Sequence, residues 1–273
     1  MHIDWIDVDG GRLRRLRAEG APGRSFVLLH GNPSRLEHWA PLIPALTPLG
    51  SVVAFELPGF GATPPIGTPT LDNFARILGP LLPPDAVLVG HSHGGLVSLA
   101  LSASLPASVP AVLLSPAGIR PNLAYRLLRL VPPRWMGDLA RGAARGGVAR
   151  LLARASVWWG LLSNYAPDPI PAGAQEEEFR FLCEAPWLAE SMCLVTREDP
   201  CRIVKERLPQ VRGPVLILHG YSDRVVSCSL GRELAEALGT RARFEPHPGG
   251  HLFFYPGAAR VAASIRAWLA EIS

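Results

Sequence analysis

The sequence predicts an α/β fold: a mostly parallel sheet of eight strands, flanked by helices and interrupted by one long helical insertion. Three observations carry this expectation. Short unbroken apolar runs recur along the chain, as in strands buried on both faces. Segments with helical spacing separate them. That alternation then stops over 118–209, where no strand is evident.

The chain opens with two alternating segments, 3–8 and 12–18, joined by the hairpin signal Gly10-Gly11. The apolar run 26–31 follows and ends in His30-Gly31. Further runs cover 52–57, 86–89, 111–114 and 215–218, with a weaker one at 242–246. Helical spacing marks 36–46, entered after Pro33-Ser34, and 71–82, with Thr70 as its N-cap. It returns at 94–105, 230–238 and 258–272. Strands alternating with helices imply parallel pairing through right-handed crossovers. Within 118–209, helix-like pieces at 123–130, 135–144, 147–162 and 176–182 are punctuated by Pro132-Pro133, by 167–171 and by Pro186. A segment of this length exceeds a plain loop and is expected to cover something.

Composition narrows the class. Of 273 residues, 48% are hydrophobic and 18% charged, which suits a folded chain and excludes disorder. The net charge of +4 rests almost wholly on Arg, with Lys205 the only Lys. No basic helix or basic patch interleaved with aromatics argues for nucleic acid. The stretch Met1 to Gly10 has neither a basic nor an apolar region of the secretory type, and no apolar run approaches the ~18 residues of a membrane span. The expectation is a cytoplasmic protein with no membrane partner. Cys183, Cys193, Cys201 and Cys228 lack C-x-x-C spacing and read as free thiols.

The strongest chemical signal is Gly90-His91-Ser92-His93-Gly94-Gly95, between the strand 86–89 and the helix 94–105. A sharp strand-to-helix turn holds its central residue at strained dihedrals, and small neighbours let the backbone pack closely around it. Ser92 is then presented at the N-terminus of a helix, whose dipole favours developing negative charge. Its hydroxyl needs a base. Of eight His residues, His2 and His38 are placed in the first strand and first helix, away from strand ends. His30 and His219 end buried strands and are expected to bond nearby backbone. His91 and His93 flank Ser92 and point away from its hydroxyl. His251, on the Gly-rich loop Pro248-Gly249-Gly250, is chosen over His247, which is held between prolines. Asp223 follows the strand 215–218 and completes the order Ser, Asp, His. Its role is to fix the His tautomer and stabilise the imidazolium. The oxyanion is assigned to the backbone N–H groups of His93 and Asn32, since Pro33 has none to offer.

With these residues in place, the chain resembles the α/β-hydrolase superfamily. The matching stretches are His30-Gly31-Asn32-Pro33, Glu56-Leu57-Pro58-Gly59-Phe60-Gly61, Gly90 to Gly95, the Asp223 loop and Gly250-His251. The resemblance implies a core of 1–117 and 210–273 and a variable helical cap of 118–209, with no metal or other cofactor. The loop from His30 to Ser34, with Trp39, is similar to that of haloalkane dehalogenases and epoxide hydrolases. Those enzymes carry Asp as nucleophile. Ser92 instead favours an acyl-enzyme. Glu56 stands where the family commonly has Asp and is read as structural.

The expected activity is hydrolysis of a small-molecule carboxylic ester with an apolar or aromatic group. Trp158, Trp159 and Trp187 of the cap are assigned to the substrate pocket. The same triad would also serve a thioesterase, a lactonase or a carbon–carbon bond hydrolase. A slow-turnover ligand-binding protein on this fold is the rival from another class.

Overall fold

Eight strands form one sheet in the order β1-β2-β4-β3-β5-β6-β7-β8 in the computed structural model, which describes residues 1–185 and 187–272. The strands are β1 (His2–Val8), β2 (Gly11–Ala18), β3 (Ser25–Leu29), β4 (Ser51–Phe55), β5 (Ala86–His91), β6 (Ala111–Leu114), β7 (Val215–Gly220) and β8 (Ala242–His247). Only β1–β2 and β2–β4 pair antiparallel; β4, β3, β5, β6, β7 and β8 run parallel. The inner parallel strands β3, β5, β6 and β7 are mostly apolar because each face packs on its own layer, whereas the edge strand β8 carries Arg243 and Glu245. Val27, Leu29, Leu88, Leu113 and Ile217 join one core cluster, while Phe26, Leu28, Val89, Leu114 and Leu218 join the other.

The helices are α1 (Ile43–Leu46), α2 (Leu71–Leu78), α3 (His93–Ser104), α4 (Leu123–Leu130), α5 (Pro133–Arg145), α6 (Gly147–Tyr165), α7 (Ala174–Glu184), α8 (Leu188–Leu194), α9 (Pro200–Arg207), α10 (Cys228–Leu238) and α11 (Ala258–Glu271). The helix expected over 36–46 is broken into a 3-10 turn, Leu36–Trp39, and the short α1. Pro41 and Pro44 have no N–H to continue it. Likewise α2, capped by Thr70 Oγ1 on Asn73 N at 3.2 Å, gives way at Gly79 to a 3-10 turn containing Pro80. Between β6 and β7 lie six helices, α4 to α9, and no strand among the described residues. The expected break at Pro186 lies outside the described residues. Two of the six, α8 and α9, were not foreseen; α9 starts at Asp199-Pro200, with Asp199 Oδ1 capping Arg202 N at 3.3 Å. All four cysteines are free. Among the described residues no helix is long and apolar enough to cross a membrane.

One buried carboxylate organises the loops beyond β4. Glu56 is fully buried and accepts from Leu36 N (3.3 Å), Ala62 N (2.8 Å), Thr63 N (3.0 Å) and Thr63 Oγ1 (3.1 Å), with Arg14 Nη1 at 3.4 Å. Gly61, at φ +57°, leaves the carboxylate its space: a Cβ there would stand 1.8 Å from Glu56 Oε1. Burial raises the carboxyl's pKa, against the pull of Arg14. Glu56→Ala strands the buried N–H groups of Leu36 and Thr63 and leaves Ala62 N and Arg14 each short of one partner. It should cost about 3 kcal/mol or more of unfolding free energy in urea titration. A cost under about 1 kcal/mol would remove Glu56 from this role.

Candidate active site

Ser92 sits between β5 and α3 with φ 53° and ψ −116°, a conformation that costs a non-glycine residue about 1–3 kcal/mol. The surroundings hold it there. Ser92 N donates to Leu114 O at 3.0 Å, and Ser92 O accepts from Gly95 N (3.0 Å) and Ala117 N (3.2 Å). The turn is tight enough that a Cβ on Gly90 would meet Gly94 O at 2.4 Å, and one on Gly94 would meet Leu29 O at 2.0 Å. Directly after Ser92, His93 N–H belongs to the first turn of α3, where a helix supplies no internal acceptor.

His251 lies on the loop after β8 and is 2% exposed. Its Nδ1–H donates to Asp223 Oδ2 at 2.7 Å. Asp223 Oδ1 accepts from Val225 N and Val226 N, each at 2.8 Å, so the loop after β7 fixes the carboxylate plane. His219, at the end of β7, places Nε2 3.3 Å from Asp223 Oδ2 while donating to Val226 O at 2.9 Å. Burial opposes the charge on Asp223, yet His251 and His219 together hold its carboxyl well below the usual carboxylate range.

The other histidines near Ser92 are held neutral. His91 donates from Nε2 to His251 O at 3.2 Å, and its ring lies 4.6 Å from that of His251. Burial first, then His251, push its pKa well down. His93 turns away to bond Tyr125 Oη at 2.9 Å, and burial lowers it to about 3. His30 accepts from Leu57 N at 3.0 Å and donates from Nδ1 to Gly31 O at 2.9 Å; burial lowers it to about 4. The expected backbone bonding of His30 and His219 is thus what the structure places there.

Ser92, His91, Asn32 and His251 border one cavity of about 370 Å³. Its wall is mostly apolar, from Trp39, Met136, Leu139, Val157, Trp159 and Phe181. Asn32 Nδ2 donates to Met192 O of α8 at 3.2 Å, which leaves its backbone beside the cavity. Of the three tryptophans expected here, only Trp159 lines it. Trp158 stands one residue round α6 and faces elsewhere, and Trp187 lines a separate polar hollow beside Arg14, Arg35 and Glu37. His38, set aside from its place in a helix, does line the cavity. It shares a 2.6 Å hydrogen bond with Ser34 Oγ and donates to Glu178 Oε1 of α7 at 3.1 Å. Its spacing from Ser34, four residues along a turn, was the available signal. Among the described residues no group of three or more His, Cys, Asp or Glu could hold a metal ion.

The alpha/beta hydrolase family model matches residues 26–264. A pimeloyl-[acyl-carrier protein] methyl ester esterase of Aromatoleum aromaticum is 30% identical over 230 residues, which cover 78% of this chain and 85% of that one. An esterase of the same description from Sodalis glossinidius is 27% identical over 218 residues, 76% and 78% of the two chains. Among solved structures, esterase RhEst1 from Rhodococcus sp. ECU1013 superposes with a TM-score of 0.75 at 21% identity, over 100% of each chain.

The turn at Ser92 depends on the absence of a side chain at residue 94. Gly94→Ala should lower the unfolding free energy by about 3 kcal/mol or prevent folding, because Leu29 O is backbone of a central strand and cannot yield. Gly79→Ala, at a position open within 4 Å, is the control and should change stability by less than about 1 kcal/mol. Equal stability of the two variants would show that the turn has more room than the geometry allows it.

Proposed function

The chain belongs to the alpha/beta hydrolase family, and on that premise we propose that it hydrolyses carboxylic esters with Ser92 as nucleophile, His251 as base and Asp223 as its orienting acid. The observation that carries the reading is the 2.7 Å bond from His251 Nδ1 to Asp223 Oδ2, made beside a cavity that Ser92 also borders. With Nδ1 donating to Asp223, the free imidazole nitrogen Nε2 is the one left to accept a proton.

Ser92 Oγ attacks the ester carbonyl carbon and passes its proton to His251 Nε2. The tetrahedral oxyanion is stabilised by the N–H groups of His93 and Asn32 and by the N-terminus of α3. Collapse breaks the bond to the alcohol oxygen, which takes the proton from His251 and leaves as the alcohol. Water then repeats the sequence on the acyl-enzyme: His251 takes its proton, and the carboxylic acid and free Ser92 are regenerated. Asp223 stays ionised and stabilises the imidazolium in both halves. Neutral His91 and His93 add no positive charge beside His251 that would oppose that imidazolium.

The cavity wall supports an apolar acyl group, and 118–209 is read as the cap that supplies much of it through Met136, Leu139, Val157, Trp159 and Phe181. Two relatives are named for a methyl ester on an acyl chain. A short alcohol and an apolar acyl chain are accordingly the substrate class proposed here. Thioesters, lactones and carbon–carbon bonds would use the same residues, and a ligand-binding protein would need no turnover.

Assays on p-nitrophenyl esters should show kcat/KM rising with acyl length until the cavity is filled. A serine-directed phosphonate should label Ser92 alone, and Ser92→Ala should lose at least ~10³-fold in kcat while keeping its fold. Labelling at another serine, or turnover near wild type, would overturn the nucleophile.

The acid is tested separately. Asp223→Asn should cost at least ~10² in kcat, since the tautomer and the imidazolium both lose support. Asp199→Asn should cost less than ~10-fold, because Asp199 caps α9 and pairs with Arg129 at 3.1 Å. The reverse ranking would move the acid into the cap.

A further inference from the structure

Helix α6 carries its apolar face outward. Val148, Leu151, Leu152, Trp158, Trp159 and Leu162 are all among the exposed large hydrophobic residues, with Trp159 at 73%. At 100° per residue they fall within an arc of about 120°, and no charged residue lies among them. The opposite arc holds buried Ala153 and Leu161, which meet the rest of the protein. A water-soluble helix normally runs the other way round, so this stripe calls for an apolar medium outside the protein.

The charges around the stripe indicate which medium. From α4 to α6 the chain holds seven Arg and one carboxylate, Asp138. Asp138 pairs with Arg141, Arg129 with Asp199 and Arg154 with Glu176. Arg126, Arg134 and Arg145 are exposed and have no carboxylate partner among the described residues, whereas Arg150 stacks over the Phe179 ring at 5.1 Å. Arg145 flanks the start of the stripe across the Gly146-Gly147 turn that joins α5 to α6. The composition of these helices is therefore basic and interleaved with tryptophan, contrary to the expectation drawn from the chain as a whole.

We propose that the outer face of α6, with the unpaired arginines beside it, docks on an anionic lipid surface. Apolar side chains would enter the acyl boundary, tryptophans would sit at the headgroup level, and the guanidinium groups would bind lipid phosphate. The helix lies on the surface and does not cross it, in keeping with the absence of a spanning helix among the described residues. The expectation of no membrane partner rested on spanning segments alone and does not bear on this mode. Trp159 belongs both to the stripe and to the cavity wall, so the docked face adjoins the cavity. An acyl chain could pass from the lipid to Ser92 without crossing water; that last consequence, unlike the docking, rests on the esterase reading.

Sedimentation with phosphatidylcholine vesicles, with and without phosphatidylglycerol, tests the docking. The protein should pellet with the anionic vesicles and be released in part by high salt. The double variant Leu151→Glu, Leu152→Glu, outside the cavity wall, should bind at least ~10-fold more weakly. Its thermal unfolding and its turnover of a short soluble ester should stay unchanged. Arg134→Glu with Arg145→Glu should abolish the preference for phosphatidylglycerol. Failure to pellet with anionic vesicles, or equal binding by the Leu variant, would overturn the proposal. So would a wild-type dimer in sedimentation velocity that the Leu variant dissolves, because the face would then be covered by a second copy.

Discussion

The close approach of β5, the turn at Ser92 and α3 is the constraint on which the rest of the structure depends. Gly94 lies where any side chain would strike Leu29 O, so α3 starts almost in contact with the neighbouring strand β3. That contact leaves the Ser92 backbone no room to relax from positive φ, and three hydrogen bonds to Leu114, Gly95 and Ala117 spread the strain over β6 and the loop beyond it. The parallel sheet then brings the ends of β5, β7 and β8 to one edge, where Ser92, Asp223 and His251 follow. Moving one of these strands by a residue would reverse which side chains face which layer.

Electrostatics at this edge follow from burial. An imidazole withdrawn from water loses its proton more readily, and His30, His91 and His93 all shift in that direction. Asp223 resists the same effect because its two oxygens meet four donors: two loop N–H groups, His251 and His219. One fixed negative charge thus lies against His251, among neighbouring rings that burial keeps neutral. His219 was foreseen only as a strand-end residue bonding backbone. Its second contact, to Asp223, arises because a loop of three residues folds the chain back toward the strand end.

The core of this arrangement was legible because its signals are local. A continuous apolar run is a buried parallel strand whichever neighbours it has, and Gly90 to Gly95 needs only the strand before it and the helix after it to be recognised. Element ends were less legible. The sequence pattern of 36–46 is helical, but Pro41 and Pro44 break the hydrogen-bond ladder without breaking the pattern. The stretch 118–209 was legible only as helical. Asp199-Pro200 is a helix start that periodicity alone passes over, and α8 is too short for a period to emerge. Which aromatics reach the cavity depends on how α6 and α7 are rotated against the core. Trp158 and Trp159 differ by one residue and therefore by about 100° around the axis, enough to put one on the cavity and the other off it.

The same rotation explains why the outward stripe of α6 could not be anticipated. Periodicity identifies residues that share a face, and the usual inference is that an apolar face turns inward. Here the inward face is made of small and medium residues, Ala153, Val157 and Leu161, with Arg150 and Arg154 stacked 5.1 and 4.6 Å over the Phe179 ring of α7. Stacked in this way, those arginines place their aliphatic stems and planar heads against an aromatic ring, so they can occupy the protein side of the helix. The larger apolar residues are thereby left on the other side. The ring these arginines pack on, Phe179, lies in the second turn of a different element, α7. A helix that packs through its arginines exposes what an ordinary amphipathic helix hides, and Trp159 of that exposed face also lines the cavity that Ser92 borders.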